Sequence, residues 1–120
     1  MTRSAILAAR VSSDQTDCTA LLKSQVKEHE DYAATNGLRV EQIIALEGIG
    51  AGDFRAMLIA WLQLHHDVRI VVVQQTDRII RACNNLEWLR ELFDNRDMEI
   101  HFVATGEIWS RNSNSLRYFL

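Results

Sequence analysis

Four stretches of this chain, residues 4–11, 38–46, 69–75 and 99–105, are apolar at most positions, the second less regularly than the others. Strands without strict alternation are typical of a sheet covered on both faces. Between them the apolar residues return with helical spacing. Cys18, Leu21, Leu22, Val26, Tyr32 and Ala33 form one stripe, with Thr16 or Asp17 as the cap and Gly37 as the stop. Met57, Leu58, Trp61, Leu62 and Leu64 form a second behind a cap at Asp53, and Leu86, Leu89, Leu92 and Phe93 a third behind Asn84 or Asn85. Strands alternating with helices are joined by right-handed crossovers into a mostly parallel sheet. The expected fold is α/β: a three-layer sandwich whose four- or five-stranded sheet carries helices on both faces.

The chain has 120 residues, 48% hydrophobic and 24% charged, which suits one globular domain. That domain is expected over residues 1–110. Residues 111–120 pass from a polar linker to the opening turn of a further helix, as they would in a segment of a longer protein. No apolar run approaches the roughly 20 residues that cross a bilayer, and the N-terminus lacks a secretory pattern, so a cytoplasmic location is expected. Cys18 and Cys83 have no metal-ligand spacing with the four histidines and read as small buried residues. The net charge is −3, whereas a domain that grips duplex DNA alone normally has a basic face. If this chain acts on DNA, another segment or partner supplies most of the affinity.

In doubly wound sheets ligands bind beyond the carboxyl ends of the strands. Arg10 and Ser12, Glu47, Asp77 and Arg78, and Glu107 each follow a predicted strand. Arg10 stands within an apolar strand, where a charge is costly unless it meets an anion. Arg78 and Arg81 lie one helical turn apart, and Arg55 follows the second predicted helix start. A serine in a strand-to-helix turn is most often a turn or cap residue, and Arg10 is open to a structural salt bridge. Four arginines converging on one edge of an acidic protein nonetheless suggest an anion. The planar, permanently charged guanidinium matches phosphate oxygens, which points to attack on phosphorus and towards nucleic acid.

The other signals are weaker. Residues 48–52 hold three of the five glycines, which implies a mobile loop or close backbone approach; they lack the spacing of a nucleotide-binding fingerprint. His65 and His66 suit a helix end, His29 and His101 show no partner, Trp61 and Trp88 read as core, and Trp109 reads as a partner contact in a polar loop.

The ordered set resembles the serine recombinases: resolvases, invertases and serine integrases. Arg10-Val11-Ser12 is similar to the Arg-Val-Ser that ends their first strand, Gln15 and Gln25 to two family glutamines, and residues 48–55 to a flexible loop followed by an arginine. Asp77-Arg78-Ile79-Ile80-Arg81 is similar to their Asp-Arg-x-x-Arg signature, and Glu107-Ile108 to a late pair. The resemblance implies Ser12 as nucleophile, with Arg10, Arg55, Arg78, Arg81 and Asp77 as catalytic partners and Gln15 and Gln25 in support. It implies no metal or cofactor, DNA as partner through a domain outside this chain, a dimer or tetramer in the full-length protein, and a bacterial, phage or mobile-element source. The family's dimerisation helix would only begin near Ser115, so residues 1–120 alone are expected to be inactive.

The sequence departs from the family at Ile49, where a serine is usual, at Ala56, where proline is common, and at Gln74 and Gln75, where a basic residue often stands. Two other readings remain: a recombinase-like domain kept for assembly, and a receiver-like interaction module. The latter needs acidic residues after the first strand to hold magnesium, where this chain has Arg10 and Ser12.

Overall fold

The computed structural model describes residues 3–11, 18–47, 51–74 and 97–110. The elements run β1 (Arg3–Val11), α1 (Cys18–Thr35), β2 (Leu38–Glu47), α2 (Ala51–Leu64), β3 (Ile70–Val73), β4 (Glu99–Phe102) and β5 (Ile108–Trp109). They form one sheet in the order β2-β1-β3-β4-β5. The first four strands are mutually parallel, and β5 pairs antiparallel with β4. The expected mostly parallel α/β sheet is therefore present. The third predicted helix lies outside the described residues.

Alternation along the strands splits the core between two faces. Ile6 and Ala8 of β1, Val71 and Val73 of β3, and Ile100 and Phe102 of β4 join Leu58 and Leu62 of α2 in one buried cluster. Ala5, Leu7, Ile70 and Val72 join Ala33 of α1 in the other. The irregularity of β2 has a cause. Ala5 faces Val40 but Ile6 faces Gln42, so Glu41 is an extra residue that shifts the register. The bulge resets the alternation, and Leu38 and Ile43 both pack on the α1 side.

Gly37 ends α1 as expected, at φ +67°. Asn36 N–H donates to Tyr32 O at 3.0 Å and Gly37 N–H to Ala34 O at 3.4 Å, which serves carbonyls that the last turn would leave unpaired. A Cβ at Gly37 would meet nothing within 4 Å, so substitution is resisted by torsion alone. Gly37→Ala is expected to cost about 1 kcal/mol, read as a lower midpoint in thermal unfolding with unchanged circular dichroism at 20 °C.

Several local expectations are corrected. Helix α2 starts at Ala51, so Asp53 belongs to its first turn and is not its cap; aspartate is favoured in both places, and sequence alone does not separate them. Ala51 and Gly52 are helical, which shortens the expected glycine loop. The apolar stripe of α1 buries Ala33 as expected, but Leu21 is 43% exposed and His29, outside the stripe, is fully buried. Trp109 is no surface contact. It is 2% exposed in β5 and meets Phe102 edge to face at 5.0 Å, because the turn after Phe102 folds the chain back along β4.

Candidate functional site

The strand order fixes where chemistry can gather. The chain leaves β1 for α1 and β2 on one side, and β3 lies on β1's other side, so connections diverge between β1 and β3. In such sheets the crevice beyond the carboxyl ends of those two strands is the ligand site. The pairing of β3 with β1 spans only Ala5 to Leu7, while β1 continues to Val11. Past Leu7 the amide of Gln25, on α1, stands in for a neighbouring strand. Arg10 N–H donates to Gln25 Oε1 at 2.9 Å, and Gln25 Nε2 donates to Arg10 O at 3.4 Å. A side-chain amide reproduces both groups of a peptide, which lets one glutamine hold the strand end that leads to Ser12.

Arg10 is half-buried, with its Nε shielded from solvent. The alternation that turns Ile6 and Ala8 towards α2 carries on to Arg10, and Arg55 falls in the second turn of α2. Both therefore belong to the same side of the sheet. Ser12, Gln15, Asp77, Arg78 and Arg81 lie outside the described residues, between Val11 and Cys18 or beyond Gln74. Glu107, expected at this edge, is used locally: its Oε2 accepts from Trp109 Nε1 at 3.1 Å.

The opposite face of the sheet carries buried polar groups that the sequence did not announce. His29, fully buried, places Nε2 3.1 Å from Gln74 Oε1, and Gln74 Nε2 donates to Glu28 Oε2 at 3.0 Å. Tyr32 Oη lies 2.6 Å from His101 Nδ1, and His101 Nε2 donates to Glu99 Oε1 at 2.9 Å. Arg3 pairs with Glu99 at 2.9 Å. Burial opposes ionisation of Glu99, but its bonds to Arg3 and His101 outweigh that and hold its pKa below the ordinary value. Both histidines, read from sequence as unpartnered, thus have partners 45 or more residues away or on the same strand. His65, just after α2, stacks on Trp61 at 4.4 Å.

Desolvation lowers the pKa of His29, and neither Gln74 nor Glu28 restores it. Below the ordinary histidine value of 6.5 the unfolded chain therefore takes up a proton that the fold refuses. Stability is expected to be full above that value and to fall as the pH drops from it towards the depressed value in the fold. Urea titrations between pH 7.5 and 5 should show this slope, and His29→Leu should flatten it. Glu99 acts lower, below its ordinary 4.5, where its stabilisation is lost as protons bind.

The architecture defines a doubly wound α/β domain whose topological switch point falls between β1 and β3. The chain belongs to the family described as the resolvase N-terminal domain, whose model matches residues 5–119. A comparison with curated proteins gives no significant match. The crystal structure of the N-terminal catalytic domain of TP901-1 integrase is similar in fold, with a TM-score of 0.66 at 15% identity, over 97% of this chain and 88% of that one. No helix among the described residues is long and apolar enough to cross a membrane.

Proposed function

We propose that this chain is the catalytic domain of a site-specific serine recombinase, in which Ser12 attacks a DNA phosphodiester. The observation that carries the reading is the adjacency of β1 and β3, since the segments bearing Ser12 and Asp77-Arg78-Ile79-Ile80-Arg81 depart from neighbouring strand ends. Parallel neighbours lie about 4.8 Å apart, so groups leaving them at one edge can reach a common phosphate.

In the proposed step Ser12 Oγ forms a bond to phosphorus and gives up its proton, while the bond from phosphorus to the 3'-oxygen breaks. The departing oxygen takes a proton and becomes a free 3'-hydroxyl, leaving a 5'-phosphoserine link. After strand exchange an incoming 3'-hydroxyl reverses the step and releases Ser12. The phosphoester energy is kept in the covalent link, so no nucleotide hydrolysis is needed. Charge on the equatorial oxygens of the transition state is balanced by Arg10, Arg78 and Arg81, joined by Arg55 from α2. Asp77 orients an arginine or relays a proton.

With a net charge of −3, the affinity for DNA comes from a further domain, and the full-length protein acts as a dimer or tetramer in the cytoplasm. A receiver-like module shares the order of the four parallel strands, but its magnesium chemistry needs acidic residues where this chain has Arg10-Val11-Ser12-Ser13. The test is to incubate full-length protein with its cognate site and to look, on a denaturing gel, for DNA that migrates with protein and is released by protease. Site-specific binding without any such product would leave the assembly role in its place.

A further inference from the structure

We propose that His29 is a positioning residue, whose hydrogen bond to Gln74 ties the centre of α1 to the point where the chain leaves β3 for the Asp77-Arg78-Ile79-Ile80-Arg81 segment. The importance of that segment rests on the reading of its arginines as a phosphate clamp; the tie itself does not.

The bonding pattern fixes every role. The Glu28 carboxylate can only accept, so the Gln74 amide nitrogen must face it at 3.0 Å. That leaves Gln74 Oε1 towards His29, and a carbonyl oxygen also only accepts, so His29 Nε2 carries the proton at 3.1 Å. His29 Nδ1 is then a bare lone pair, buried, with no hydrogen-bond partner among the described residues. An imidazole at 0% exposure in the middle of a helix face that also buries Ala33 is costly unless it serves something. A leucine there would fill the same space without a polar atom.

The residue it holds is the last described before the segment in question. Gln74 follows β3, and its carbonyl accepts from Ala104 N–H at 3.0 Å, which ties its backbone to the turn after β4. The side chain alone ties it to α1. Three residues further on lies Asp77. Gln25 secures Arg10 from the same helix, so α1 holds both strand ends of the crevice, one turn apart along one face: β1 through Gln25 and β3 through Glu28 and His29. The two glutamines at Gln74 and Gln75 replace the basic residue common in relatives, and Gln74, unlike a lysine, can both donate to Glu28 and accept from His29.

The test uses hydrogen–deuterium exchange by mass spectrometry on the chain itself, with His29→Leu, His29→Gln and Gln74→Met, at pH 7.5. Glutamine is chosen because its amide nitrogen lies close to where Nε2 of histidine does. Loss of one net hydrogen bond should speed exchange across residues 74–81 about fivefold to tenfold in His29→Leu and Gln74→Met. Peptides from β1 and α2 should be unchanged, and His29→Gln should restore protection. Equal exchange over 74–81 in wild type and His29→Leu, or acceleration spread evenly over the whole sheet, would overturn the proposal. A second arm titrates inorganic pyrophosphate as the anion probe. Protection of residues 74–81 should appear in wild type and His29→Gln at concentrations several-fold lower than in His29→Leu. If pyrophosphate protects no variant while the first arm behaves as expected, the tie stands and the phosphate-clamp reading fails.

Discussion

Replacing Ser12 with alanine is expected to remove the covalent protein–DNA product altogether, while Ser13→Ala keeps it. The step has one nucleophile, and a hydroxyl on the neighbouring residue would not be placed for in-line attack on the same phosphorus, so cleavage should fall by on the order of 10⁴-fold or more. The choice between the two serines rests on alternation. Ile6, Ala8 and Arg10 share the side of β1 that faces α2, and two further residues of strand geometry would set Ser12, rather than Ser13, in that series. Thermal unfolding of both variants beside the wild type separates a lost nucleophile from a lost fold. The decisive measurement is mass spectrometry of the proteolysed adduct from full-length protein trapped on a nicked site. A phosphonucleotide on Ser13 would transfer the role to that residue.

Arg10→Ala should slow cleavage by 10²- to 10³-fold, corresponding to about 3 kcal/mol of lost transition-state stabilisation. Arg10 is held by its backbone, through Gln25 on one side and its register with Leu46 of β2 on the other, and neither depends on the guanidinium. The backbone of β1 should therefore keep its place in the variant. Arg10→Lys should recover only part of the rate, because an ammonium keeps the charge but not the planar fork that meets two phosphate oxygens. Single-turnover cleavage with thermal melts in parallel decides the matter; a rate that falls only in proportion to lost fold would reduce Arg10 to a structural residue.

Helix α1 contributes little apolar burial at its exposed Leu21 and a good deal of polar organisation instead. Gln25, His29 and Tyr32 follow one another at helical spacing, and each reaches the strand opposite it: β1, the end of β3, and β4. Hydrogen bonds buried in this way specify one register of helix on sheet, since a slip by one turn would leave every one of these groups unsatisfied. Tyr32 shows the electrostatic side of the same arrangement. Burial raises its pKa, and the Glu99 charge adds to that, so the phenol remains protonated beside His101.

The order of the described strands and helices as far as β4, their approximate limits and the αL stop at Gly37 were legible along the chain. Each is written in neighbouring residues, as a period, a cap or a turn, and local sterics enforce it wherever the segment lies. Family membership was legible for the same reason, as an ordered series of short motifs. The strand order was not, and neither were the bulge at Glu41, the antiparallel return that buries Trp109, or the partners of His29 and His101. Gln74 is 45 residues from His29, and His101 is 69 from Tyr32, with no periodicity linking either pair. Such pairs exist only after helix and sheet have packed, because a buried donor must then find whichever acceptor the tertiary fold has brought within reach.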